Sequence, residues 1–380
     1  MRAKTPSNDV VIRELRPQDR AVVAALAVRA FVPLQASFVV PSGSGGVIAL
    51  VEGRPAAASL VRVIKLPNGA KVGMIAWLMT DPDRRGLGLA TRLVNESVRN
   101  LVEAGCTAIV TDVEGYNTAS ANVFHGAGFR RLSVSEQRKR WGLFNLFWLW
   151  IRTGVAVDPG HFMWVADREA TTAAPSPEEP APLRARLFAI VLNSLLALFA
   201  LSLGGGLFLA GEAGLPDASR LLAVFFGVAV LLLARESAMR IAAGADGPAF
   251  EFRAWEGGWG ISALIAIAFG RVLPLPGNLY PVGDGWRTRD HIARLGRSAV
   301  ASALVLSALV LAASAMRPHA ISFIDELARV IVFVGKPLLL FDTLVAVAPF
   351  EGFNARHLRD YRKPTWIALA ALGIAVFLWG

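Results

Sequence analysis

The apolar positions of this chain follow two different rhythms. Up to about residue 167 they come in short runs broken by charges and turns. Val10, Val11, Ile12 and Leu15, then Val47–Glu52, Ala57–Ile64, Val72–Thr80, Ala108–Val113 and His161–Ala166, have strand character. Gly53-Arg54 and Pro67-Asn68-Gly69 punctuate them as turns. Helical spacing appears in Asp19–Phe31, which is rich in alanine and valine. It is clearest in Leu89–Ala104, where Leu89, Leu93, Val94, Val98, Leu101 and Val102 share one face and Gly105 ends the run. Asn117–Ala127 reads as a short helix ending at Gly128-Phe129.

Beyond about Leu187 long uncharged runs take over. Leu187–Gly211, Leu221–Ala243, Ser298–Met316, Val330–Ala348 and Thr365–Trp379 are candidates for spanning a bilayer. Trp259–Leu273 is shorter and runs into Pro274, Pro276 and Gly277, so it predicts a re-entrant or broken segment. Between the two regimes, Glu169–Pro182 is rich in Ala, Thr, Pro and Glu without apolar periodicity and reads as a solvated tether. The predicted organisation is a domain over 1–167, a linker over 168–185 and a membrane domain over 186–380.

Composition supports this division. Hydrophobic residues make up 54% of 380 residues, and the mean hydropathy of +0.49 is high for a soluble chain. The formal net charge of +10 would suit nucleic acid, but the arginines cluster beside hydrophobic runs, where cytoplasmic membrane loops place them. No nucleic-acid partner is expected; a lipid bilayer is. The basic clusters are Arg184/Arg186, Arg287/Arg289/Arg294/Arg297 and Arg356/Arg359/Arg362/Lys363. Five spans put all three clusters on the cytoplasmic side only if Trp259–Leu273 does not cross. Met1–Asp9 is polar, so the first domain is expected in the cytoplasm and the chain in the cell membrane. Cys106, the only cysteine, excludes a disulfide framework and a cysteine metal site.

The candidate chemistry centres on Asp81-Pro82-Asp83-Arg84-Arg85-Gly86-Leu87-Gly88-Leu89-Ala90. A strand feeding a glycine-rich turn into a helix leaves backbone N–H groups aimed at one point, with the helix dipole behind them. Such a turn suits a phosphate or pyrophosphate. Gly86 and Gly88 let backbone approach a ligand closely.

These residues resemble the GNAT superfamily of acetyl-CoA-dependent acyltransferases. The resemblance covers roughly residues 9 to 167. Its first signature is matched by Arg85, Gly88 and Ala90, with Asp81-Pro82-Asp83-Arg84 as lead-in; its second is matched by Asn117 and Gly128-Phe129. The resemblance implies an α+β acyltransferase fold, a mixed and mostly antiparallel sheet with flanking helices, fused here to an all-α polytopic membrane domain. It implies acetyl-CoA as co-substrate, no metal, and cofactor binding by Thr80, Arg85, Gly86, Leu87, Gly88, Leu89, Ala90 and Asn117. An amine acceptor would attack the thioester directly; protein amine, small amine and amino-bearing lipid precursor all remain open. The family's usual tyrosine acid falls at Phe124, which has no proton to give. Tyr116 and His125 are close in sequence without occupying that position. Asp112 and Glu114 are the candidate bases.

Arg138–Arg152 carries basic flanks and three tryptophans, is too short to span, and reads as an interfacial segment. The membrane half resembles the site-2-protease family of intramembrane zinc metalloproteases. Arg235-Glu236-Ser237-Ala238-Met239 stands at the place of its His-Glu-x-x-His, Pro349-Phe350-Glu351-Gly352 resembles its later Asp-Gly motif, and Phe250–Trp255 also looks like the family. Arg235 cannot ligate zinc and Met239 is a poor ligand, so Glu236 and Glu351 are left without a metal site. The resemblance implies a degenerate, metal-free domain. Two functions therefore stand side by side. One is a membrane-tethered N-acetyltransferase; the other is a non-catalytic acetyl-CoA sensor or adaptor coupled to a protease-like relic.

Overall fold

The computed structural model describes residues 10–39, 45–167, 182–207, 217–283, 285–316, 322–347 and 350–379. Of the expected linker over 168–185, residues 168–181 lie outside the described residues. The chain divides into two compact units: Met1–Val113, Ala119–Thr153 and Met163–Pro177 form the first, and Glu114–Thr118, Gly154–Phe162 and Glu178–Gly380 the second.

The first unit follows the order β1 (Val10–Glu14), α1 (Arg20–Ala30), α2 (Pro33–Phe38), β2 (Gly45–Val51), β3 (Arg54–Lys65), β4 (Lys71–Thr80), α3 (Leu89–Glu103), β5 (Ala108–Glu114), α4 (Thr118–Gly126), β6 (Arg130–Arg131), α5 (Val134–Thr153) and β7 (His161–Asp167). The strands make one seven-stranded sheet in the order β1-β2-β3-β4-β5-β7-β6. The first four strands form an antiparallel meander. β4 and β5 are parallel, which requires a crossover, and α3 supplies it. The β2–β3 hairpin closes between Val51 and Arg54 through Glu52 and Gly53, both with positive φ. That is a tight turn whose twist matches the strands, one residue earlier than the sequence pattern placed it.

α3 docks on the sheet through Leu89, Leu93, Val94 and Leu101, all buried. Burying each such side chain is worth about 1.5–3 kcal/mol, so this helix fixes the crossover. Gly73 on β4 allows the close approach, since a Cβ there would sit 2.8 Å from Leu101. Cys106 is buried in the same core cluster, with Ile75, Val113, Phe124 and Phe129. Neither α2 nor the two-residue β6 was expected from the pattern; both are shorter than the window in which periodicity shows.

The second unit contains α6 (Pro182–Ser202), α7 (Ala218–Ala243), β8 (Phe250–Arg253), α8 (Trp259–Phe269), β9 (Asn278–Pro281), α9 (Ile292–Met316), α10 (Ser322–Thr343), α11 (Ala355–Tyr361) and α12 (Lys363–Trp379). Pro182–Ser202, Ala218–Ala243 and Thr288–Met316 are long and apolar enough to cross a membrane, while α8 and α12 are apolar but shorter. α10, at the place of an expected span, carries Asp325, Glu326, Arg329, Lys336 and Asp342. The all-helical expectation needs one correction: β8 and β9 pair antiparallel, from Phe250↔Pro281 to Arg253↔Asn278. Gly270, left-handed at φ 58°, caps α8, and Pro274 and Pro276 keep the residues that follow out of a helix.

Candidate active site

Within the first unit, β4 carries the deciding irregularity. Leu60 pairs with Trp77 while Val61 pairs with Ile75, so Ala76 is an extra residue in β4. A bulge of this kind bends its strand and re-aims the backbone. On the other side, the β4–β5 ladder runs only from Val72↔Ala108 to Met74↔Val110. The Thr111 hydroxyl closes its end by donating to the Ile75 carbonyl at 3.0 Å. From Ala76 to Thr80, β4 has no ladder partner on its β5 side among the described residues.

The strand then enters the turn. Asp81 is buried, its N–H donates to the Ala56 carbonyl at 2.9 Å, and its carboxylate accepts from the Asp83 N–H at 3.0 Å. Arg29 on α1 donates to Asp81 at 2.9 Å and to Asp83 at 2.7 Å. These bonds fix the lead-in. Gly86 and Gly88 follow with φ of 83° and 69°, and a Cβ on either would meet nothing within 4 Å. Gly88 caps α3 without a side-chain hydrogen bond, so the first N–H groups of α3 lack intrahelical acceptors. Arg85, Gly86, Leu87 and Gly88 are exposed, Ala90 is half-buried, and Leu89 is anchored in the core. Thr80, opposite Ala57, is half-buried at the end of β4. Residues 80–90 thus form one continuous turn beside the unladdered stretch of β4, exposed at Pro82, Asp83 and Arg85 to Gly88. Its anion preference is that of any helix N-terminus.

The expected proton-moving residues are arranged differently. Asp112 is half-buried on β5, and its charge opposes the lowering of the Arg62 guanidinium by burial. Phe124 is buried against Phe129, their rings 5.1 Å apart, and serves the core. His125 is exposed in the last turn of α4.

Glu114, Tyr116 and Asn117 belong to the second unit. Glu114 is buried; its carboxylate accepts from the Tyr116 N–H at 3.0 Å and faces Arg356 Nη1 at 3.3 Å. Burial pushes its carboxyl above the usual carboxylate range, against the pull of Arg356. The Tyr116 hydroxyl donates to the Leu279 carbonyl at 2.8 Å, and its ring stacks on Tyr280 with centroids 4.5 Å apart. Burial raises this phenol well above its ordinary value, so it is a structural group. Asn117 is exposed, its N–H donating to the Glu114 carbonyl at 2.9 Å.

Elsewhere in the second unit, Arg235 and Glu236 enter two separate polar clusters. Arg235 is fully buried on α7 and donates to Asp342 of α10 at 2.8 and 3.2 Å, and to the Gly277 carbonyl at 3.1 Å. Asp342 also accepts from Ser302 at 2.7 Å and from the Asn354 side chain at 3.0 Å. Asn354 lies 3.7 Å from the Met239 sulfur. Glu236 is gripped by Arg186, at 2.8 and 2.7 Å, and by Arg240 at 2.7 Å. Glu351 does not join them; it lies 3.7 Å from Arg356. Sequence reasoning missed Asp342, which lies 107 residues from its partner within an apolar run.

Residues 12–129 match the acetyltransferase (GNAT) family. The first unit therefore carries a GNAT acetyltransferase domain, with the mixed, mostly antiparallel sheet described above. Solved structures similar to the chain include the ribosomal-protein-S18-alanine N-acetyltransferase from Escherichia coli, at 14% identity over 45% of this chain and 99% of that one, with a TM-score of 0.31. A GNAT-family acetyltransferase from Desulfovibrio desulfuricans is 17% identical over 42% of this chain and 98% of its own, TM-score 0.31. N-acetylglutamate synthase from Neisseria gonorrhoeae, solved with coenzyme A and N-acetyl-glutamate, is 17% identical over 42% of this chain and 35% of its own, TM-score 0.30. A search of curated proteins gives no match.

Proposed function

We propose that the first unit is an N-acyltransferase moving an acetyl group from acetyl-CoA to an amine acceptor, and that the second unit holds it at the cytoplasmic face of the cell membrane. The observation carrying this reading is the cradle at Arg85–Ala90 beside the open edge of β4. Backbone N–H groups of the cradle would bind the CoA pyrophosphate, and the β4 edge would take the amides of the pantetheine arm. The acceptor nitrogen attacks the thioester carbonyl, whose developing negative charge backbone donors stabilise. The carbon–sulfur bond breaks, the ammonium proton passes to a base, and the CoA thiolate takes up a proton. Asp112 is the base candidate within the first unit. Tethering raises the effective concentration of membrane-bound acceptors, whether protein amines or amino-bearing lipid precursors.

A second reading is an acetyl-CoA-binding sensor or adaptor coupled to a degenerate, metal-free protease-like domain. It is favoured by Phe124 in the core, by the Tyr116 hydroxyl bonded to the Leu279 carbonyl, and by Arg235 held by Asp342. Purified full-length protein assayed for CoA release against a panel of amines separates the two. Release dependent on an amine supports the enzyme; tight CoA binding with no release on any amine supports the sensor. Stoichiometric zinc in the purified chain would overturn the metal-free reading.

A further inference from the structure

α5 has two apolar faces, one buried and one exposed. The helix is broken at Gly142, where φ is 72° and ψ 165°, and its second half is clamped to the first unit. Leu146, Leu149 and Thr153 are buried. Trp150 Nε1 donates to Gln137 Oε1 at 2.8 Å, and Asn145 ties the Trp141 carbonyl at 2.9 Å to the Asn68 N–H at 3.3 Å. The opposite face carries Leu143, Phe144, Phe147, Trp148 and Ile151, all exposed; Leu143 and Phe144 are 70% and 72% exposed. At helical spacing these five residues fall within an arc of about 140°. The clamped face fixes the direction in which this stripe points.

Charge indicates what covers it. Arg138 and Lys139 are exposed immediately before the break, and Arg152, also exposed, closes the stripe with its guanidinium 5.9 Å from the Trp148 ring. An apolar stripe with tryptophan, flanked by cations and too short to cross a bilayer, matches the headgroup region of an anionic membrane. We propose that the outer face of α5 seats in the interface of an anionic lipid surface, with Leu143, Phe144 and Ile151 below the headgroups and Arg138, Lys139 and Arg152 among the phosphates. This orients the first unit on a membrane and does not depend on acetyl transfer or on any helix of the second unit spanning the bilayer.

The test uses the full chain with one added thiol, Cys106 being buried and shielded. A polarity-sensitive fluorophore is placed on Phe144→Cys, or on Asn95→Cys at an exposed position of α3. Each is studied in nanodiscs of phosphatidylcholine alone or with phosphatidylglycerol, with and without lipids carrying a quencher in the upper acyl chain. The expected result is a blue shift and lipid-dependent quenching at position 144, stronger with phosphatidylglycerol, and water-like emission at 95. Arg138→Gln with Lys139→Gln should remove the preference for the anionic lipid. Emission at 144 that is water-like would overturn the proposal. So would a blue shift that the lipid quencher does not reach, because a protein surface or second copy would then cover the stripe. If the chain proves soluble without detergent, the membrane-spanning reading fails, and the same labels read against vesicles of both compositions still decide this one.

Discussion

A tryptophan at Gly88 perturbs the cradle without touching the core. Gly88 sits at φ 69°, so any L side chain there costs about 1–2 kcal/mol of backbone strain. No atom lies within 4 Å of its missing Cβ, so no clash adds to that cost. Gly88→Ala should therefore fold and lose about 2–8 °C in Tm, and Gly88→Trp should melt close to the alanine variant. Ligand binding should separate them. An indole at Gly88 occupies the open space in front of α3, where charge-assisted hydrogen bonds to pyrophosphate would be worth about 1.5–3 kcal/mol each. Losing two such bonds weakens binding by at least about a hundredfold. Titration calorimetry of CoA into detergent-purified wild type, Gly88→Ala and Gly88→Trp measures this directly. A folded Gly88→Trp protein that binds CoA within about threefold of wild type would refute the cradle.

Phe124→Ala should cost about 3–5 kcal/mol by opening a cavity beside Phe129; a loss near zero in chemical denaturation would remove Phe124 from the core. Arg235→Leu strands the Asp342 carboxylate in the interior and should cost about 3–5 kcal/mol, with Arg235→Leu/Asp342→Leu recovering most of it; thermal melts in detergent of both variants check this. Asp19 accepts from Arg13 at 2.7 and 2.8 Å and from the Arg16 N–H at 2.7 Å. Chiefly through the Arg13 bonds, its carboxyl is lowered to about 2, against about 3.9 in an unfolded chain. A depressed folded pKa means the stabilisation is complete above the unfolded value and fades as pH falls through the folded one. The stability gap between wild type and Asp19→Asn, about 1–2 kcal/mol at neutral pH, should therefore close between roughly pH 4 and pH 2. A gap that stays constant over that range would exclude Asp19 ionisation as its source.

Much of the first unit was legible because its elements are written in local periods. Leu89 through Leu101 share a face in the sequence and the same residues dock α3 in the structure. The bulge at Ala76 left no such trace: register depends on which β3 residues oppose β4, and a small residue in an apolar run carries no sign of it. The Gly86–Gly88 turn was readable because glycine at positive φ is a local requirement. The partner of Arg235 was not, since it is set by helices α7 and α10 meeting. β8 and β9 escaped notice for the same reason, being four residues each with their pairing specified from a distance. The exposed stripe of α5 was visible as aromatic and basic composition, but only the clamped inner face reveals which residues point outward.

The open edge of β4 has a further consequence for solubility. Unpaired strand edges normally invite other chains to add a strand and aggregate, and proteins blunt them with charge, proline or bulges. Here the open residues, Ala76–Thr80, lie inside the strand order, with β3 on one side and β5 on the other. A foreign β-sheet approaching in the plane would run into β5 before reaching them, whereas a slender extended molecule can enter from the end where the strands part. The protein can therefore leave the β5-facing backbone groups of this stretch unladdered at little risk of edge-to-edge association.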